Sequence, residues 1–149
     1  MTRIITFALI ASLLLTTGSS FATPSRDRDD DVTASFHKDF KSAELLSTEP
    51  GKVYTKLTFK LNDMVMFAYY NPAGQLIAVV RNIQSGQLPI QLMLKVKEGY
   101  SNYWISDLFE ISADAETDYY ITLEDANTKV TLRSVDGANW EVYSKKTKE

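Results

Sequence analysis

From Thr33 onward the apolar positions follow two alternating rhythms. In Thr33–Leu46, Phe36, Phe40, Ala43 and Leu46 recur at helical spacing, Lys38, Asp39, Lys41 and Glu44 take the other faces, and Pro50-Gly51 stops the run. Between Val53 and Leu61 the period becomes two. Val53, Thr55, Leu57, Phe59 and Leu61 face one way and Tyr54, Lys56, Thr58 and Lys60 the other, which predicts a strand with one buried face. Asn62-Asp63 turns the chain into a strand over Met64–Tyr70, and Asn71-Pro72-Ala73-Gly74 turns it into Gln75–Ile83. Two hairpins in succession predict an antiparallel meander.

The plan then repeats. Leu88-Pro89 opens a second helix, with Ile90, Met93, Leu94 and Lys97 carrying it to Glu98-Gly99. Strands are predicted over Tyr103–Ser112, Asp118–Glu124, Lys129–Ser134 and Asn139–Tyr143. Their core-facing residues are Ile105, Phe109 and Ile111, then Tyr119, Ile121 and Leu123, then Val130 and Leu132, then Trp140 and Val142. This pattern predicts an α+β fold of tandem helix-plus-antiparallel-meander halves, 33–84 and 88–146, with the helices packed on one face of the sheet. The halves are each small, so they are expected to share one core within a single domain, 33–146.

The chain before this domain reads differently. Met1-Thr2-Arg3 is a short basic start, Ile4 to Leu15 is an uncharged apolar run, and Ser20-Phe21-Ala22 offers small residues before a cleavage site. That is the layout of a secretory signal peptide over residues 1–22, too short in its apolar part to span a bilayer as a helix. Cleavage after Ala22 leaves no membrane anchor. Residues 23–32, including Pro24 to Asp31 (PSRDRDDD), are polar and charged and read as a disordered acidic linker. Asp27, Asp29, Asp30 and Asp31 lack the spacing and glycine turn of a calcium loop, so no metal is expected there.

Composition narrows the chemistry. The 149 residues contain no cysteine, which excludes a disulfide framework, a thiolate nucleophile and cysteine-held zinc. The single histidine, His37, has no nucleophile motif beside it and reads as a surface residue of the first helix. A formal charge of −3 argues against nucleic acid, which needs a basic face.

Several segments, taken in order, resemble one family. Phe36-His37-Lys38-Asp39-Phe40-Lys41-Ser42-Ala43 is similar to its opening helix, and Ala68-Tyr69-Tyr70-Asn71-Pro72-Ala73-Gly74-Gln75-Leu76-Ile77 to its strand–turn–strand. Arg81-Asn82-Ile83 with Leu88-Pro89, Tyr100 with Ile105 and Glu110-Ile111, and Tyr119-Tyr120-Ile121-Thr122-Leu123-Glu124 follow in sequence. The set, spanning Val32 to Lys146, resembles the beta-lactamase-inhibitor-like, PepSY-like exported proteins of Gram-negative bacteria. It departs at Asn71, where that family commonly carries Asp, and at Leu45-Leu46, where a V-x-W segment often precedes its first strand. The resemblance implies a periplasmic α+β domain and supplies no catalytic residue or cofactor.

Candidate functional residues are therefore sought on surfaces. Carboxylate pairs such as Glu110 with Glu124, or Asp107 with Glu116, would need an apolar pocket to act as acid and base, and Glu110 alternates away from Phe109 and Ile111 as if solvated. No enzyme is expected. Arg81 shares strand parity with Ile77 and Val79, so it is read either as an ion pair with Glu110 or Asp107 that locks the halves, or as an anion site. Tyr54, Tyr120 and Tyr143 fall on polar faces. Tyr120, Thr122, Glu124, Lys129, Thr131, Arg133, Glu141 and Tyr143 are expected to form one exposed recognition face, with Tyr120 and Tyr143 as anchors. Lys145, Lys146 and Lys148 read as a solvated tail. The function expected is a non-catalytic binding module for an exported or envelope protein, possible targets of inhibition or regulation being an envelope enzyme or a peptidase. The alternative is a periplasmic binding protein for a small ligand or cell-wall fragment. A flat aromatic sheet face would favour the first and an enclosed polar cavity the second.

Overall fold

A computed structural model describes residues 26–148, with side chains from Asp30 onward. The expected signal peptide, Met1–Ala22, lies outside the described residues. Helix α1 runs Arg26–Asp39. Eight strands and a second helix follow: β1 Glu44–Pro50, β2 Thr55–Leu61, β3 Met64–Tyr70, β4 Leu76–Asn82, α2 Ile90–Gly99, β5 Trp104–Ala113, β6 Glu116–Glu124, β7 Thr128–Ser134 and β8 Glu141–Thr147. The strands form one antiparallel sheet in chain order, β1 to β8.

Two expectations about the first segment are corrected. The helix begins seven residues before Thr33, so residues 26–32 of the expected linker are helical. It also ends at Asp39, and Leu45 and Leu46 belong to an edge strand paired with β2. Both differences have one cause. The first turns of α1 carry no apolar residue to show a period, whereas Ala43 and Leu46 fall by chance at helical spacing from Phe36 and Phe40.

Turn chemistry explains the hairpins. Asn62 and Asp63 both have positive φ (49° and 63°), as a two-residue turn matched to strand twist requires. Asp114 and Ala115 do the same between β5 and β6 (49° and 66°). Asn71 accepts hydrogen bonds at Oδ1 from the backbone N–H of Ala73 (2.9 Å) and Gln75 (3.0 Å), a role that an aspartate fills equally well. Gly74 is required twice over. Its φ is +74°, and a Cβ there would lie 2.8 Å from Ser35 Oγ on α1.

Pairing register sorts the buried residues onto two faces. In one cluster Val32 and Phe36 of α1 pack with Leu57, Phe59, Met66, Ala68 and Tyr70. The Phe59 ring lies 5.2 Å from Phe36 and 4.8 Å from Phe40, and the Tyr70 hydroxyl donates to Asp39 Oδ2 at 2.9 Å. In another, Leu92 and Val96 of α2 pack with Leu108, Ile121, Leu123, Val130 and Leu132. Trp140 joins it, its Nε1–H donating to the Leu92 carbonyl at 2.9 Å. The strand residues of these two clusters share one face of the sheet by register. A third cluster, Tyr69, Ala78, Val80, Phe109, Ile111, Ala113 and Tyr120, occupies the opposite face and contains no helix residue.

Apolar residues occupy both faces. Phe109 and Ile111, expected on the helix-covered side, therefore pack on the helix-free one, on the other side of the sheet from Ile121 and Leu123, and three other expected core positions are exposed. A register shift between Ile105 and Asp107 leaves Ile105 39% exposed, and Val142 on edge strand β8 is 61% exposed. Val53 precedes β2 and is 61% exposed. The expected basic tail is also corrected. Lys145 and Lys146 lie in β8, and Lys148 is pinned to Glu124 (Nζ–Oε2 2.7 Å) and to the Asp125 carbonyl (2.8 Å).

Candidate functional site

The second face of the sheet carries the recognition residues expected from parity. Register places Tyr120 opposite Arg133, Thr122 opposite Thr131 and Glu124 opposite Lys129, and on the next strand Glu141 opposite Arg133. Tyr143 is the extra residue at the β7–β8 register shift, which turns its ring onto Tyr120 (centroids 5.6 Å, 84°). Strand pairing has thus assembled the set. Its exposure, however, differs from expectation: Tyr120 is only 1% exposed and Thr122 5%.

Neighbouring side chains account for that burial. Phe109 stacks on Tyr120 at 5.1 Å with 7° between the planes, and the Arg133 guanidinium lies 5.8 Å from the Tyr120 ring centroid. Burial pushes the Tyr120 phenol up to about 12, with the Arg133 charge opposing the rise. Its hydroxyl is buried without a hydrogen bond of normal geometry. Arg133 is itself held by Asp118, Nη2–Oδ2 2.6 Å and Nε–Oδ2 3.2 Å. Burial works against the guanidinium charge and is the largest single influence, but the bond to Asp118, together with the fields of Tyr120, Asp118 and Tyr143, outweighs it and the Arg133 pKa is raised. Asp118, 7% exposed, is the residue that parity missed. It lies opposite Ile111, and a carboxylate in an apolar row gives no pattern signal until its arginine is located two positions along the neighbouring strand pair.

The face continues to either side. Toward β2, the Tyr69 hydroxyl is pushed up to about 12 by burial, Tyr54 meets its ring at 5.3 Å, and Lys56 Nζ sits 5.0 Å from the Phe67 centroid. Toward the start of β5, Trp104 is 53% exposed opposite Glu124, with Lys148 Nζ 4.6 Å from its ring centroid. Hydrogen bonds from Lys148, Ser106 and Lys129 hold the Glu124 carboxyl down to about 2.

The remaining candidates separate. Glu110 and Glu124 lie on opposite faces, so they form no acid–base pair. Asp107 and Glu116 stand at opposite ends of the β5–β6 hairpin, roughly 20 Å apart by strand rise. Glu110 is not solvated as expected. Its side chain is 14% exposed, lies on the face of the two helix-bearing clusters, and accepts from Arg81 Nε at 2.7 Å directly across β4–β5. His37 is exposed on α1 with its ring against the edge of Phe36. Two shallow open clefts, each about 540 Å³, are lined by Asn82–Ser85 with Ile105–Leu108, and by Pro89, Glu116, Thr117, Tyr119 and Val135–Gly137.

This architecture has counterparts among solved structures. A protein of Bacteroides eggerthii provisionally named as periplasmic matches with a TM-score of 0.69 at 12% identity, over 79% of this chain and 87% of that one. A DUF2874 family protein of Bacteroides uniformis matches at 0.69 and 13%, over 85% and 90%. A BLIP-like protein of Bacteroides fragilis matches at 0.68 and 16%, over 86% and 89%. The fold is BLIP-like. No protein-family model matches the chain, and no curated protein is significantly similar to it. At such identities the likeness is one of BLIP-like architecture.

Proposed function

We propose that this BLIP-like chain is an exported, non-catalytic binding module that docks another envelope protein on the second face of its sheet. The observation that carries the reading is the helix-free face: Trp104, Tyr143 and the half-buried Phe67 stand at separate places around a buried floor of Tyr69, Phe109 and Tyr120, rimmed by Lys56, Glu124, Lys129 and Glu141. Aromatic anchors inside a charged rim suit a protein surface. Both clefts are open rather than enclosed, which favours this reading over a small ligand. The periplasm as location is supported by the N-terminal leader pattern and by the name of the Bacteroides eggerthii neighbour. Inhibition or regulation of an envelope enzyme or peptidase is the role we infer from fold likeness. The tandem halves, 33–84 and 88–146, belong to the same proposal, supported by a helix preceding four strands twice.

The test is cross-linking capture from envelope extracts with the purified protein as bait. Trp104→Ala and Tyr143→Ala are expected to lose the partner that the unaltered protein retains. Ile90→Ala on α2, at a position 67% exposed on the other side of the molecule, should retain it. Equal capture by all four proteins, or loss only with Ile90→Ala, overturns the proposal.

A further inference from the structure

Among the described residues the sheet has two edges, β1 and β8, each paired on one side only. An edge strand presents unpaired backbone groups that another strand can use. We propose that β8 joins two copies of this chain, antiparallel about a two-fold axis between Tyr143 and Ser144. Opposite neighbours across the axis are then Glu141 with Lys146 of the second copy, Val142 with its Lys145, and Tyr143 with its Ser144.

Three observations select this pairing. The first is facing. Residues opposite each other in a ladder share a face, whereas residues five apart in a regular strand do not. Here they do. Glu141 pairs with Arg133 and Lys146 with Lys129, both on the second face, and Val142 pairs with Leu132 and Lys145 with Val130, both on the other. The register shift at Tyr143 supplies the extra residue that makes the self-pairing consistent. The second is charge. The two-fold axis places a carboxylate opposite an ammonium at both ends of the ladder, and Glu141, Lys145 and Lys146 are all exposed. The third is cover. Val142, 61% exposed, comes under the aliphatic stem of the opposing Lys145.

The other edge does not offer this. About its own two-fold axis β1 sets Glu44 against Glu49, and Pro50 has no N–H to donate. Joining β1 to β8 with Lys146 opposite Glu44 sets Glu141 opposite Glu49, so attraction and repulsion cancel. That head-to-tail contact would also leave one β1 and one β8 edge unpaired in any pair of copies, so it does not close at two. The β8 pairing shares Glu141 and Tyr143 with the proposed binding face, but it is argued from edge geometry and charge and its test reads self-association alone.

Sedimentation equilibrium of the purified protein over a concentration series, at low and high salt, tests it. A closed monomer–dimer equilibrium weakened by salt is expected. Glu141→Lys and Lys146→Glu should each raise the dissociation constant roughly tenfold or more. An equal mixture of the two variants should restore a dimer containing one of each, because every reversed charge then meets its opposite. Circular dichroism checks folding. If either variant unfolds, Glu141→Gln and Lys146→Gln replace the pair and should each weaken association and its salt dependence. A monomer at all concentrations, a mass growing beyond two copies, or association that the substitutions leave unchanged overturns the proposal.

Discussion

Glu124 sits where two hairpin ends meet, and two ammonium groups converge on it: Lys129 across the β6–β7 pair (3.2 Å) and Lys148 from the last described residue (2.7 Å). Hydrogen bonds from Lys148, then Ser106 and Lys129, hold the folded carboxyl at about 2, below its ordinary 4.5. A folded pKa below the unfolded one means that the ionised group stabilises the fold above about pH 4.5, and that this contribution is lost as the pH falls toward 2. Asp125 shifts the same way, through the backbone N–H of Asn127 first, and Asp136 is held well below the carboxylate range by Asn139. Glu124→Gln is therefore expected to lower stability at neutral pH and to flatten the acid limb between about pH 4.5 and 2. Urea midpoints across that window check it. A variant profile parallel to the unaltered one would show that the two lysines contribute nothing to folding there.

At the scale of the element, the β5–β6 turn holds Ala115 at a φ of 66°, a conformation that costs an L-residue with a Cβ about 1–2 kcal/mol. Glycine adopts it without that penalty but loses more backbone freedom on folding. Ala115→Gly should therefore raise stability by about 0.5–1 kcal/mol, read from chemical denaturation, and an unchanged or lowered value would contradict the turn geometry. This turn was legible in the sequence only as a break over Ala113–Glu116. Its neighbours show why most strands could be read and one could not. Leu57 and Phe59, or Ile121 and Leu123, alternate with polar residues, so their period is visible. In β1, Leu45 is half-buried and Leu46 is 48% exposed, with Glu at positions 44 and 49 and Pro at 50, so nothing in it alternates cleanly. The recognition row was legible as a set because register follows parity. Its burial was not, because Tyr120 is covered by Phe109, Tyr143 and Arg133 from three other strands.

Across the whole molecule, β4 and β5 form the seam between the strands that pack with α1 and those that pack with α2, and Arg81–Glu110 bridges it. Arg81→Met should cost about 1–3 kcal/mol by leaving Glu110 without its cation, and Arg81→Met with Glu110→Leu should cost less than the single change. Additive costs in a double-mutant cycle would mean that the pair is incidental. The same seam has a kinetic meaning. Every strand pairs with its immediate successor, and all joints but one are short turns, so most of the sheet is closed by local contacts. The exception is residues 83–103, which carry α2 between β4 and β5. Loop-closure entropy rises with the length of the intervening chain, and low contact order speeds folding. Two meanders are therefore expected to zip early and separately, with their joining at Arg81 and Glu110 as the late event. A chain without cysteine has no covalent check on that step, so the speed of a single strand–strand encounter decides how long the unjoined edges of β4 and β5 stay open to wrong partners.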